Sequence, residues 1–270
     1  MRAIVSLSLS RCRMLLLGVP VVSALMFSGC GSTVREVSTS LQKGMEARQA
    51  YQAGHERFAA GKYKDAIPHF LRTLSLEPDF DEAEADLAWS FYHTGRYEDA
   101  IRHFRQALRR QPRWEGLHNG LGWALYEQRR YPEAADAFRE SLSLDPRHRD
   151  AAVGLAYALF DARKYADALP LLERLTREGE GHMLQSATSD VESVRSRLAW
   201  TFYYLRKYDR AREEFQKGIS ARPDWYGLHN GLGWTQLQQG DRAAARQSFE
   251  RALRLKPDLV DARQGLARAR

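Results

Sequence analysis

The chain has 270 residues and a formal charge of +7, with 44% hydrophobic and 28% charged residues. Those proportions exclude a disordered chain, a collagen and a polytopic membrane protein. Cys12 and Cys30 are the only cysteines, so a disulfide framework and a cysteine-rich zinc module are excluded as well.

The N-terminal segment reads as an address. Arg2, Arg11 and Arg13 form a positive stretch without an acid, and an apolar run follows from Met14 to Phe27. The run is short and reads as the apolar core of a secretory signal rather than a spanning helix. It ends in Phe27-Ser28-Gly29-Cys30. That ending resembles a bacterial lipobox, with Phe27 where leucine is usual. The resemblance implies a signal peptide over 1–29, lipidation at Cys30 and a tether over 30–46. Gly31, in place of an aspartate after the cysteine, points to the periplasmic face of the outer membrane. Two or three acyl chains, at about 0.8 kcal/mol per buried methylene, hold a protein there almost permanently. Export leaves no role for nucleic acid as a partner, in spite of the basic charge.

From residue 47 the sequence is periodic. Proline falls at 78, 112 and 146, then at 223 and 257, in steps of 34. Tyr63, Tyr97, Tyr131 and Tyr165 keep that step, as do Phe70, Phe104 and Phe138, and Ala66, Ala100, Ala134 and Ala168. Within each period two apolar stripes at helical spacing are separated by a turn. In residues 81–114 the first stripe is Leu87, Ala88 and Phe91, and Gly95 ends it. The second runs from Tyr97 through Ala100, Ile101, Phe104 and Ala107 to Leu108, and Pro112 stops it. One hairpin cannot bury both stripes, but stacked hairpins can.

This pattern of Gly or Ala, Tyr, Ala, Phe, Ala and Pro at set offsets resembles the tetratricopeptide repeat. The resemblance implies an all-α fold, a right-handed superhelical α-solenoid. Four repeats are expected over 47–182, in frames 47–80, 81–114, 115–148 and 149–182. An insertion loop over 183–191 is followed by two repeats over 192–259 and a capping helix over 260–270.

A second stripe on each first helix is surplus to the core. Trp89, Trp123, Trp200 and Trp234 hold the ninth position of their repeats, and Tyr157 holds it in the fourth. Tyr92, Tyr126 and Tyr203 follow three residues later on the same face. In the family this face lines a concave groove. Large aromatics left open there mark a binding surface rather than a core.

The sequence also repeats at 111 residues: 87–123 and 198–234 match at 18 of 37 positions. Identity concentrates in Gly-Leu-His-Asn-Gly-Leu-Gly-Trp, which carries His118, Asn119, His229 and Asn230, and in Trp114 and Trp225 just before it. A duplicated block and two similar subsites in one groove both account for this, and the retained first-helix residues favour subsites. Gly120 and Gly231 admit either a close neighbouring helix or a ligand.

No nucleophile, metal or phosphate-loop signature occurs. The expectation is therefore a non-enzymatic scaffold without cofactor or metal, anchored at the outer membrane. It would bind peptide segments of periplasmic or outer-membrane proteins, in the assembly of envelope or secretion machinery. The alternative is a glycan-binding lipoprotein of a polysaccharide export system, because tryptophan faces beside Asn and His also suit sugars.

Overall fold

The structure, a computed structural model, describes residues 31–181 and 188–270. Two units are distinguished, 1–42 and 43–270. Every regular element among the described residues is an α-helix, and these pair into antiparallel hairpins. The hairpins are α1 (Gly31–Ala59) with α2 (Tyr63–Leu76), α3 (Asp81–His93) with α4 (Tyr97–Arg110), and α5 (Glu115–Glu127) with α6 (Tyr131–Leu144). They continue with α7 (Arg149–Asp161) and α8 (Tyr165–Gly181), α9 (Thr188–Tyr204) and α10 (Tyr208–Ala221), then α11 (Tyr226–Gln238) and α12 (Arg242–Leu255). The first helix of a seventh hairpin, α13 (Val260–Arg268), follows. No described helix is long and apolar enough to cross a membrane.

Two expectations need correction. Residues 31–46, read as a tether, are helical and belong to α1, which runs for 29 residues. The stretch lacks proline, and Leu41, Gln42, Lys43, Met45, Glu46 and Ala47 are strong helix formers. The loop expected over 183–191 is shorter, since α9 already begins at Thr188. Helices α8 and α9 each reach 17 residues and take up part of the inserted length. Residues 182–187, the signal segment and Cys30 lie outside the described residues.

One device forms every turn inside a hairpin. After α3, Gly95 donates to the Tyr92 carbonyl at 3.0 Å and Arg96 to that of Phe91 at 2.9 Å. This paired closure satisfies carbonyls that the helix end would leave open. It requires a left-handed residue, which Gly95 supplies at φ 76°. Without a Cβ, glycine takes that conformation at no steric cost.

The hairpins then stack in two layers. Successive first helices touch: α3 meets α5, α5 meets α7, α7 meets α9, α9 meets α11 and α11 meets α13. Among the described residues consecutive second helices show no such close backbone approach and are bridged by side chains, Arg105 to Glu133 at 3.2 Å and Arg210 to Glu173 at 3.8 Å. Within residues 43–270 the first helices therefore form the inner side of a curved solenoid and the second helices its outer side.

Phenylalanine rings lock the layers together. Phe104, Phe138, Phe215 and Phe249 are fully buried. Each ring is seated against a glycine of the next first helix: Gly120, Gly154, Gly231 and Gly265. A Cβ built at Gly120 would lie 2.4 Å from Phe104, and one at Gly231 would lie 2.3 Å from Phe215. These glycines thus admit a neighbouring aromatic ring, not a ligand. A buried phenylalanine is worth on the order of 1.5–3 kcal/mol in transfer terms, and here each is shared between two hairpins.

Candidate binding surface on the first helices

Trp89, Tyr92, Trp123, Tyr126, Tyr157, Trp200 and Tyr203 all lie on the inner layer and are half-buried. Their helical spacing turns one edge of each ring toward the core. Trp89 meets Phe104 edge-on at 5.2 Å, Trp123 meets Phe138 at 5.2 Å, and Trp200 meets Phe215 at 5.3 Å. Each is close to perpendicular, the favourable arrangement for aromatic quadrupoles. Burial pushes the Tyr92 phenol up to about 12.

The 111-residue stride sets a polar clasp. Asn119 Nδ2 and Trp123 Nε1 both donate to Asp150 Oδ2, each at 2.8 Å. Asn230 Nδ2 and Trp234 Nε1 donate in the same way to Asp261 Oδ2, at 2.7 and 2.8 Å. Both aspartates stand in the first turn of the following first helix, so each clasp ties one hairpin to the next. His118 and His229 lie one residue before the asparagines. Each places Nε2 at 2.9 Å from a proline carbonyl, of Pro112 and Pro223, and fastens the chain as it enters α5 or α11. Trp114 and Trp225 occupy the N-cap positions of those helices and cover Gly116 and Gly227.

Several residues expected in an open groove are not open. Asn119 is 4% exposed, and Trp234 is 9% exposed, with His229 and Asn230 also buried. Helix α13 covers the second set, with the Arg268 guanidinium 5.4 Å from the Trp234 ring. The half-buried row therefore runs from Trp89 to Tyr203 and stops before Trp234.

Other members of this surface went unread in the sequence. Arg197 stacks its guanidinium on Tyr157 at 3.6 Å and donates to the Tyr126 hydroxyl at 3.4 Å. Tyr126 in turn donates to Asp161. Burial, followed by that bond, raises the Tyr126 phenol. Tyr204, 48% exposed, stacks on Tyr165 at 4.4 Å, and His93 stacks on Tyr63 at 4.2 Å in the corresponding place. Position 93 lies 111 before position 204, so the stride itself was a signal for this pair. The change from His to Tyr hid it. Among the described residues no group of three His, Cys, Asp or Glu side chains could hold a metal ion.

The sequence profile named Tetratricopeptide repeat matches residues 51–113, 119–182 and 196–269. The chain belongs to the tetratricopeptide repeat family. YrrB, described as a tetratricopeptide repeat protein with an unusual peptide-binding site, has a similar structure. It is 18% identical with a TM-score of 0.61, over 72% of this chain and 96% of that one. MamA from Desulfovibrio magneticus RS-1 is 20% identical with a TM-score of 0.59, over 67% and 98%. The Cut9–Hcn1 hetero-tetramer of the APC/C gives 16% and 0.61, over 88% of this chain and 48% of that one. At such identities the likeness concerns the fold alone. No curated protein matches the chain. Tetratricopeptide arrays are protein-binding scaffolds, since stacked hairpins offer an extended curved surface instead of a closed pocket.

Proposed function

We propose that this is a lipid-anchored envelope scaffold that holds an extended peptide segment of a partner protein along the aromatic row of its first helices. One observation carries the reading. The rings from Trp89 to Tyr203 are half-buried on the inner layer, and their edges are fixed by Phe104, Phe138 and Phe215. Rigid aromatics with one free face supply contact area at little entropic cost, which is what binding hot spots use. The peptide-binding site named for YrrB is consistent with this use of the fold. Anchoring at the periplasmic face of the outer membrane rests on the ending Phe27-Ser28-Gly29-Cys30.

Photo-crosslinking tests the groove. A benzophenone amino acid is placed at Tyr92, at Tyr203 and at the outward Arg102, and cells are irradiated. Protein adducts are expected at Tyr92 and Tyr203 and not at Arg102. Adducts that resist protease but not glycosidase at the inner positions would transfer the site to the glycan reading. Palmitate labelling tests the anchor: the Cys30→Ser protein is expected to lose all label, and retained label would exclude lipidation there.

A further inference from the structure

The inner turns of the third, fourth and fifth hairpins share a composition. They read Arg129-Arg130-Tyr131-Pro132-Glu133, Arg163-Lys164-Tyr165-Ala166-Asp167 and Arg206-Lys207-Tyr208-Asp209-Arg210. Arg129, Arg163 and Arg206 hold positive φ, at 58°, 60° and 59°. The first, second and sixth hairpins have Gly61, Gly95 and Gly240 at the same position, at φ 72°, 76° and 85°. A residue with a Cβ is disfavoured in this conformation. Three successive hairpins thus keep arginine where glycine fits with less strain.

The charges are free to act. Arg129, Arg163 and Arg206 are exposed, and so are Lys164 and Lys207. Among the described residues no ion pair engages any of the five. The three turns hold seven cations and three acids. Of the acids, Glu133 is bound by Arg130 at 2.7 Å and by Arg105 at 3.2 Å, and Asp209 accepts from Gln239 Nε2 at 2.8 Å. Arg206, Lys207, Tyr208, Asp209, Arg210 and Gln239 line a hollow at the α9–α10 turn. Burial raises the phenols of Tyr165 and Tyr204, and the nearby Arg163 guanidinium offsets part of that rise. Those two rings stack nearly parallel, at 12°.

We infer that this edge binds an acidic polypeptide segment of a partner. Its carboxylates would sit on Arg129, Arg163 and Arg206, and an apolar or planar side chain would lie against the Tyr204 face. The alternation of cations with Glu133, Asp167 and Asp209 selects the ligand class. A dense sheet of anionic headgroups or a uniformly charged polymer meets repulsion at each acid. A chain whose carboxylates are spaced by neutral residues meets none, and its amide N–H groups can donate to those acids. The choice of a polypeptide rests on the protein-binding reading above, but the surface is separate from the aromatic row and is tested without it.

The probe is a fluorescein-labelled peptide of ten Glu-Gly repeats, titrated against the mature protein at low salt. The triple variant Arg129→Gly, Arg163→Gly, Arg206→Gly is compared with the charge-matched variant Arg212→Ala, Arg246→Ala, Arg251→Ala. The glycine variant is expected to bind at least tenfold more weakly while melting no lower than the parent, because glycine relieves the turn backbone. The charge-matched variant is expected to change binding less than threefold, and salt to weaken the parent's binding. Equal losses in both variants would show that net charge alone acts and would overturn the proposal. So would unaltered binding by the glycine variant or no binding by the parent. Parallel titrations use alginate and phosphatidylglycerol vesicles. Binding to either in the absence of peptide binding would assign the edge to a polysaccharide or a membrane and overturn the polypeptide. The groove aromatics are intact in every variant, so failure here leaves the crosslinking result standing.

Discussion

At the scale of single residues, Asp150 and His93 matter more than their exposed positions imply. Asp150 accepts from both Asn119 and Trp123 through one oxygen. Replacing it by alanine leaves a buried amide without an acceptor, which costs about 1–3 kcal/mol. The denaturant midpoint of Asp150→Ala is expected to fall accordingly, with Trp123 emission shifted to the red. Asp150→Asn keeps an acceptor oxygen and should lose less than half as much. The imidazole of His93 stacks on Tyr63, and the partial desolvation of the ring lowers its pKa from 6.5. A base whose folded pKa is depressed resists protonation, so its share of stability is whole above the unfolded value and is lost as pH falls through it. The melting temperature is expected to drop between pH 7 and 5. His93→Tyr, the residue found at 204, should flatten that drop, and thermal melts at both pH values read the difference. Of these two residues only the neighbourhood of Asp150 was foreshadowed. The stride of 111 is visible in Asn119 and Asn230 and continues to Asp150 and Asp261, but the run of identity stops at Trp123 and Trp234. A lone matching aspartate beyond a run of identities carries no signal until it stands beside its donors.

At the scale of elements, the hairpins were legible because turn chemistry and stripe period agree. The spacing of Gly95 and Pro112 foretells α3 and α4, whereas from α5 to α10 the stripe period carries the reading without the glycine, since Arg129, Arg163 and Arg206 stand in its place. The break in the 34-residue period marks where the insertion between α8 and α9 lies but not its conformation, and α9 reaches back to Thr188. Helix contact, in contrast, is invisible in one sequence. Gly120 could be read as a place for a ligand, and only the seating of Phe104 decides otherwise. Gly154 makes the same contact with Phe138, at 2.3 Å from a built Cβ. Since the ring is fully buried, it cannot swing aside into water. Gly154→Ala is expected to destabilise by about 1–3 kcal/mol in spite of alanine's better helix propensity. Equilibrium denaturation checks this, and a stabilised variant would mean that the helices can separate freely. Buried charge shows how tolerant the interior of a hairpin is. Glu84 meets His103 at 2.8 Å, and 111 residues later Arg195 meets Glu214 at 3.0 Å with the carboxylate on the other helix of the hairpin. The shared requirement is a pair, not a polarity.

At the scale of the molecule, the asymmetry between layers has a mechanical meaning. Neighbouring second helices lack the close backbone approach of the first helices and are bridged by exposed ion pairs worth little, so bending residues 43–270 toward or away from the inner face changes less on the outside. The energy of bending is concentrated in the inner contacts, where the Asp150 and Asp261 clasps and the phenylalanine seats are found. Residues 43–270 therefore behave as an elastic strip, compliant on one surface and stiffened at two points on the other. A chain lying along the aromatic row would shift the rest length of that strip. Pulling on the strip would in turn weaken the grip on that chain, so tension and occupancy are linked.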